Sequence, residues 1–358
     1  MSQITLRNIT KRFSTVTALK EVSFSVENGE FFVLLGPTGA GKTTTLRVIA
    51  GLEKQDEGDI LFDGQSMNAV SPADRDTAIV FQEYSLYPTM TVFENMAFPL
   101  RAPMRNYDKA EIQQRVERAA ETLQITHLLQ RKTAKLSGGE MQRVSIGRAI
   151  VRQPKVFLMD EPLSNLDAKM RESLRVELQH LQKQQGISTL FVTHDQIEAL
   201  TMADRIGVLD KGRLIQVGSP ADIYDQPATI FVAQLIGTPR ISLLQAGLAD
   251  GQFQLKDSAI RLDVPEAARA ALPQHFQFGL RAEDVHIHAN GAFAGEVGIT
   301  EPLGVQTIVY IRSGQATLTS TLAGMTDLKP GQSVRFDLNL KRAHYFDPQG
   351  QRIPIASA

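Results

Sequence analysis

Between the apolar run Phe31-Phe32-Val33-Leu34-Leu35 and a helical pattern that begins near Thr43 lie eight residues, Gly36-Pro37-Thr38-Gly39-Ala40-Gly41-Lys42-Thr43. This G-x-x-x-x-G-K-[ST] pattern fixes much of the fold around it. Its glycines let backbone N–H groups wrap an anion, and the loop must join a buried strand to a helix whose N-terminus faces the same anion. Lys42 is placed to reach the β- and γ-phosphates of a nucleotide, and the Thr43 hydroxyl to bind Mg²⁺. Thr44, the next residue, belongs with them.

The rest of the first 235 residues agrees with a parallel sheet. Val156-Phe157-Leu158-Met159 and Thr189-Leu190-Phe191-Val192 are short buried runs, each followed by a loop and a helical pattern, as in a sheet with helices on both faces. The first run ends in Asp160-Glu161, so two carboxylates arrive at the carboxyl edge of the sheet, where ligands of such sheets bind. Asp160 then reads as a partner of Mg²⁺ and Glu161 as the base for an attacking water. Between about residues 83 and 136 the pattern turns helical. Asp108 to Leu129 puts Ile112, Val116, Ala119, Ala120 and Leu123 on one helix face, and we expect a helical insertion there.

Beyond Gly237-Thr238-Pro239 the texture changes to short β-branched and aromatic runs separated by turn signals: Phe276 to Ile287, Thr307 to Ile311, and Val334 to Leu340. A small β-barrel is the simplest solution for them, with one helical interlude over Pro265 to Leu272. Two histidines in this part, His286 and His288, share a strand face, but two ligands are too few for a metal site, and they read as solvated.

Composition bounds the partners. Lys and Arg total 38 against 39 acids, with 11 of each after residue 235, so no part has the positive excess of a nucleic-acid binder. The absence of cysteine removes disulfides and thiolate chemistry and suits a reducing, intracellular location. No apolar run approaches the ~20 residues of a membrane helix, and MSQITLRN lacks the pattern of a secretory signal.

Leu136-Ser137-Gly138-Gly139-Glu140 resembles the LSGGQ motif of ABC transporter ATPases, and it stands 21 positions before Glu161. Around it, Gln82 in Val80-Phe81-Gln82-Glu83 resembles the Q-loop. Ser164-Asn165-Leu166-Asp167 resembles the D-loop, and His194 in Val192-Thr193-His194-Asp195 the switch histidine. Phe13 is similar in position to the aromatic on which adenine stacks. The resemblance implies an ABC ATPase domain over 1–235, its helical subdomain at about 83–136, and a regulatory OB-like (TOBE) β domain over 236–358. It also implies ATP and Mg²⁺ as cofactors. Lys42 and Gly36 to Thr44 would hold the phosphates, Thr43, Gln82 and Asp160 would attend the metal, and Glu161, Gln82 and His194 would serve hydrolysis. Ser137-Gly138-Gly139 opens what reads as a helix, Glu140 to Val151, whose free N–H groups form a second anion site that a lone phosphate loop cannot use. The resemblance implies that Ser137, Gly138, Gly139, Glu140 and Asp167 act across a two-fold homodimer.

The run Gly218 to Tyr224, with Phe231 to Gly237, Gly279 to Val285 and Glu301-Pro302-Leu303-Gly304, resembles importer ATPases of the maltose and glycerol-phosphate type. The implied setting is the cytoplasmic face of the inner membrane of a bacterium. There the chain would power uptake of a carbohydrate, polyol or related solute, with two membrane permease subunits and, indirectly, a periplasmic or extracellular solute-binding protein. Polyamine and ferric-ion importers have similar tails, and a soluble ABC ATPase of translation or DNA repair is a further alternative. Tyr84-Ser85-Leu86-Tyr87-Pro88 suits a docking surface for a permease helix. One residue departs from the motif: Glu140 replaces glutamine, and its charge is expected to turn away from phosphate and leave the anion to Ser137 and the backbone.

Overall fold

The computed structural model describes residues 2–102, 106–249, 251–269 and 271–355, which divide into two compact units, Met1–Pro220 and Ala221–Ala358. Among the described residues the first unit contains ten strands, in chain order β1 (Ile4–Phe13), β2 (Val16–Val26), β3 (Phe31–Leu35), β4 (Glu57–Phe62), β5 (Gln65–Ser66), β6 (Thr77–Val80), β7 (Val156–Asp160), β8 (Ser188–Thr193), β9 (Arg205–Asp210) and β10 (Arg213–Gly218). Its longer helices are α1 (Lys42–Ala50), α2 (Val92–Ala97), α3 (Lys109–Thr122), α4 (Gly138–Ile150), α5 (Ala168–Gln185) and α6 (Gln196–Met202).

Six strands form the expected sheet in the order β10-β9-β3-β8-β7-β6, with only the edge pair β9 and β10 antiparallel. Every residue of β3, β7 and β8 is buried, which explains why their sequences are unbroken apolar runs rather than alternations. The N-terminal sheet β2-β1-β4-β5 is antiparallel and packs Ile4, Leu6, Val22 and Ile60 into the same core as α1 and β3. Nothing in the phosphate-loop pattern announces it. Its strands are half exposed and interrupted by shifts of register, so their period-2 signal is weak.

The helical insertion is α2, α3 and short 3-10 turns, and Ile112, Val116, Ala119, Ala120 and Leu123 are all buried in it. The long pattern Asp108 to Leu129 is not one helix. Asp108 caps it by accepting from Glu111 N at 2.8 Å, but it stops at Thr122, and Gln124 takes a left-handed φ of 57°.

The second unit begins with α7 (Pro220–Asp225, of which Ala221 onward belongs to it) and α8 (Ile230–Leu235), ahead of the junction read at residue 235. Ten strands follow among the described residues: β11 (Ser242–Ala249), β12 (Gln252–Leu255), β13 (Arg261–Asp263), β14 (His275–Leu280), β15 (Val285–Ile287), β16 (Phe293–Pro302), β17 (Gln306–Ser313), β18 (Ala316–Ala323), β19 (Ser333–Leu338) and β20 (His344–Phe346). They make two antiparallel sheets, β13-β12-β11-β14-β20 and β15-β19-β16-β17-β18. The second sheet curls into a nearly closed, OB-like barrel, with the Ser320 hydroxyl of its last strand donating to the Val285 carbonyl of its first. Both sheets face one core built around Phe253, Phe278, Phe336 and Tyr345. Among the described residues of the interlude Pro265 to Leu272, the structure has a 3-10 turn, Glu266–Ala268, in place of the expected helix. His288 pairs with Asp337 at 2.7 Å.

Arg281 ties the two short helices to the barrel. Its guanidinium lies 3.7 Å over the Tyr224 ring and donates to Ile236 O at 2.7 Å and Tyr224 O at 2.8 Å. Nearby, burial pushes the imidazole of His344 down to about 3, and Arg281, Arg352 and Arg342 add to the effect. Folded His344 therefore stays neutral where the unfolded chain takes up a proton, near 6.5. The stability of this unit is complete above that pH and falls as pH drops from there toward the lowered value. Thermal unfolding of the full chain should show Tm decreasing between about pH 7 and about pH 4.5, with a flatter slope in His344→Gln.

Candidate active site

The loop after β3 is shaped by its glycines. A Cβ at Gly36 would lie 2.2 Å from Leu209 O of the neighbouring strand, and Gly41 has φ 107° with Ala18 O where a Cβ would sit 2.6 Å away. Only glycine fits at either point. Gly41 is also the N-cap of α1 and has no side chain to satisfy the first N–H groups of the helix, which point at whatever occupies the loop. Pro37, Thr38, Gly39 and Ala40 complete the turn, and space is open beside Gly39.

Lys42 is 4% exposed, and its Nζ donates to Gly36 O at 2.9 Å and Pro37 O at 3.1 Å. A cation buried to this extent needs negative partners. It has one in Glu161, with Oε1 3.2 Å away. The other oxygen of Glu161 lies 2.8 Å from His194 Nδ1, so one carboxylate stands between the phosphate-loop lysine and the histidine. Residue Glu161 has a φ of 44°, a conformation that costs a side-chain-bearing residue roughly 1–3 kcal/mol. That turn is held by the Glu161 N–H on Val192 O at 3.0 Å and by Ser164, whose N and Oγ donate to Glu161 O at 3.2 and 2.9 Å.

Thr43 Oγ1 donates to Asp160 Oδ1 at 2.9 Å. A hydroxyl and a carboxylate side by side at the loop make a hard oxygen donor set, the kind Mg²⁺ takes. Burial raises the Asp160 carboxyl above its ordinary range, only partly opposed by the Thr43 bond, and a divalent cation would restore its charge. Gln82 lies two residues beyond the end of β6 and is exposed; its carbonyl accepts from Asn165 Nδ2 at 3.0 Å. Phe13, at the end of β1, is 41% exposed with Lys11 Nζ 4.9 Å above its ring, and is no core residue.

Ser137 to Glu140 sit elsewhere. Ser137 is the N-cap of α4, which starts at Gly138, two residues earlier than the pattern from Glu140 suggested, because Ser137 and Glu140 form a reciprocal cap. Glu140 Oε2 accepts from Ser137 N at 2.7 Å and from Ser137 Oγ at 2.9 Å, and Oε1 lies 3.5 Å from Arg131. The charge thus folds back on the helix start, at the cost of engaging the serine hydroxyl. Gly139 packs against Met170, and Gly138 faces Tyr84 and Leu166. Asp167 caps α5 by accepting from Met170 N at 2.9 Å. Among the described residues no hydrogen bond or ion pair joins Ser137–Glu140 to the phosphate loop. Sequence reasoning passed over three neighbours of the Glu161–His194 pair, Arg171, Asp195 and Glu198; the one available signal was Arg171, four residues after the capping Asp167.

With this geometry the comparisons with known proteins agree. A family profile described as ABC transporter matches residues 19–164, and one described as TOBE domain matches 278–346. The trehalose/maltose import ATP-binding protein MalK of Thermococcus litoralis is 46% identical over 97% of this chain and 98% of its own. The sn-glycerol-3-phosphate import ATP-binding protein UgpC of a Ruegeria species is 42% identical over 99% of both chains. Among solved structures, an ATP-binding cassette of an ABC transporter in its ADP conformation matches with a TM-score of 0.58 at 28% identity, over 65% of this chain and 98% of its own. A dimeric bacterial ABC transporter cassette matches with a TM-score of 0.56 at 30% identity, over 61% and 98%. The chain belongs to the ABC transporter ATP-binding proteins and is an ATPase subunit of that family, with a C-terminal TOBE domain.

The cap of α4 can be tested directly. The backbone bond from Ser137 is the main cause that holds the Glu140 carboxyl below its ordinary range. Its contribution is therefore complete above that range and is lost as pH falls through the lowered value. Glu140→Ala should cost about 1 kcal/mol at neutral pH, Glu140→Gln less because an amide also closes the cap, and the Ala difference should shrink in acid. Denaturant unfolding at both pH values reads this.

Proposed function

We propose that this chain hydrolyses Mg-ATP to drive import of a carbohydrate, polyol or glycerol-phosphate-like solute, as the maltose and glycerol-phosphate relatives are named for doing. The carrying observation is the Glu161 carboxylate, 3.2 Å from Lys42 and 2.8 Å from His194. Lys42, the N–H groups of Gly36 to Thr44 and the exposed face of Phe13 bind the nucleotide. Thr43 and Asp160, with the amide of Gln82, would hold Mg²⁺, which would supply neutralisation of the phosphate charge. Glu161 orients water and accepts its proton. His194 holds that carboxylate and meets the γ-phosphate, while Lys42 exchanges its loop carbonyls for phosphate oxygens.

The separation of Ser137–Glu140 from the phosphate loop supports a two-fold homodimer, in which Ser137, Gly138, Gly139 and Glu140 of one copy close the site of the other, with Asp167 at the seam. For this to happen the Ser137 hydroxyl must leave Glu140 for phosphate. One permease subunit would dock on each copy, at the groove of about 480 Å³ bordered by Leu52, Tyr87, Phe98 and Arg148, where the Tyr87 and Phe98 rings stand 4.7 Å apart and both are exposed. Among the described residues no helix is long and apolar enough to cross a membrane. The chain would then sit on the cytoplasmic face of the membrane and receive solute signals through the permeases from an external binding protein.

Glu161→Gln keeps the shape of the side chain and removes the base. It should bind ATP normally, lose roughly 10²–10⁴-fold in turnover and accumulate an ATP-bound dimer. Lys42→Ala should weaken binding itself. ATP binding, steady-state hydrolysis and size-exclusion chromatography with ATP separate these outcomes, and near-normal turnover of Glu161→Gln would remove Glu161 from the role.

A further inference from the structure

The turn that presents Glu161 is closed from its far side by a residue four positions into α5. Helical side chains point back toward the N-terminus of their helix, and Arg171 follows this rule. Its Nε donates to Leu163 O at 3.3 Å and its Nη2 to Leu166 O at 3.0 Å, two carbonyls of the segment between Glu161 and α5. The third nitrogen, Nη1, lies 3.6 Å from Asp195 Oδ2, in the residue that follows His194. Asp195 is itself fixed. Its Oδ1 accepts from Ile197 N at 2.7 Å and Glu198 N at 3.3 Å, and its N–H donates to Thr193 Oγ1 at 2.9 Å. Thr193 Oγ1 donates in turn to Glu198 Oε2 at 2.6 Å, a side chain 3% exposed. A small pocket of about 30 Å³ is lined by Glu161, Ser164 and Arg171 together with Thr193, His194 and Asp195.

We infer that Arg171 is a positioning residue for ATP hydrolysis: one guanidinium fixes the loop behind Glu161 to the loop that bears His194, and so keeps these two side chains at hydrogen-bond distance. The inference rests on the roles given above to Glu161 and His194. The fork geometry is the reason for arginine, since three N–H directions serve two carbonyls and a carboxylate, whereas an ammonium is a point donor on a flexible stem. Arg171 is a third exposed, so its ion pair with Asp195 contributes little as attraction, and its value is geometric. Without it, the backbone of the strained turn at Glu161 is left to Ser164 and the bond to Val192, while Lys42 and His194 hold the carboxylate itself. A misplacement near 1 Å at a catalytic group can cost about 10²-fold in rate.

Steady-state ATPase assays on the full chain, with Tm measured in parallel, test this. Arg171→Ala should lower kcat about ten-fold or more while KM for ATP stays within about two-fold, because the phosphate loop is untouched. Arg171→Lys should restore part of kcat and nearly all of Tm. In a His194→Ala background Arg171→Ala should cost little further, and Asp195→Asn, which keeps the helix cap and removes the charge, should likewise reduce the effect of Arg171→Ala. Equal fold losses in kcat with and without His194, or a fall in Tm with kcat unchanged, would overturn the inference and leave Arg171 as a helix-end clamp. Normal turnover of His194→Ala alone would instead overturn the role of His194, and with it this inference.

Discussion

Everything at the site depends on three parallel strands lying side by side. β3, β8 and β7 are neighbours in register, Leu35 opposite Thr193 and Asp160 opposite Val192, so the residues just past their ends emerge on one edge within a few ångströms. The phosphate loop follows the first, His194 the second and Glu161 the third. No long-range electrostatics is needed to gather Lys42, Glu161 and His194. The ladder of backbone hydrogen bonds does it, and the buried apolar faces of Phe32, Leu158 and Leu190 make the ladder stable in this order.

What was legible in the sequence followed from how strictly each element is constrained. The phosphate loop could be placed to the residue because its glycines answer to backbone contacts, Gly36 against Leu209 and Gly41 against Ala18, that admit no substitute. β3, β7 and β8 were legible because both of their faces are buried. The N-terminal antiparallel sheet and the end of α3 were harder, since half-exposed strands with shifts of register and a single left-handed Gln124 leave almost no pattern. Arg171 escaped notice for a different reason. It carries no motif, and two of its three partners are carbonyls, which every sequence has.

Glu140 shows how a local requirement and a functional one can share a residue. In the isolated subunit the side chain is a good cap, reciprocal with Ser137 and favoured by the helix dipole. The same contact occupies the hydroxyl that phosphate would use. The helix start is thus self-satisfied in the isolated subunit, and under the proposed dimer mechanism an anion would have to outcompete this carboxylate.

The strand order also sets a schedule for synthesis. β3, five buried residues near the beginning of the chain, lies between β8 and β9, and neither neighbour exists until more than 150 residues later. At a translation rate of about 5–20 residues per second, this central strand waits roughly 8–30 s for the first of its partners. During that interval Phe31 to Leu35 is a bare β-prone segment with nothing to pair with. The nucleotide pocket is consequently among the last parts of the first unit to form, and a ribosome-bound chain that stalls before Ser188 would carry its phosphate-loop sequence without a sheet to hold it.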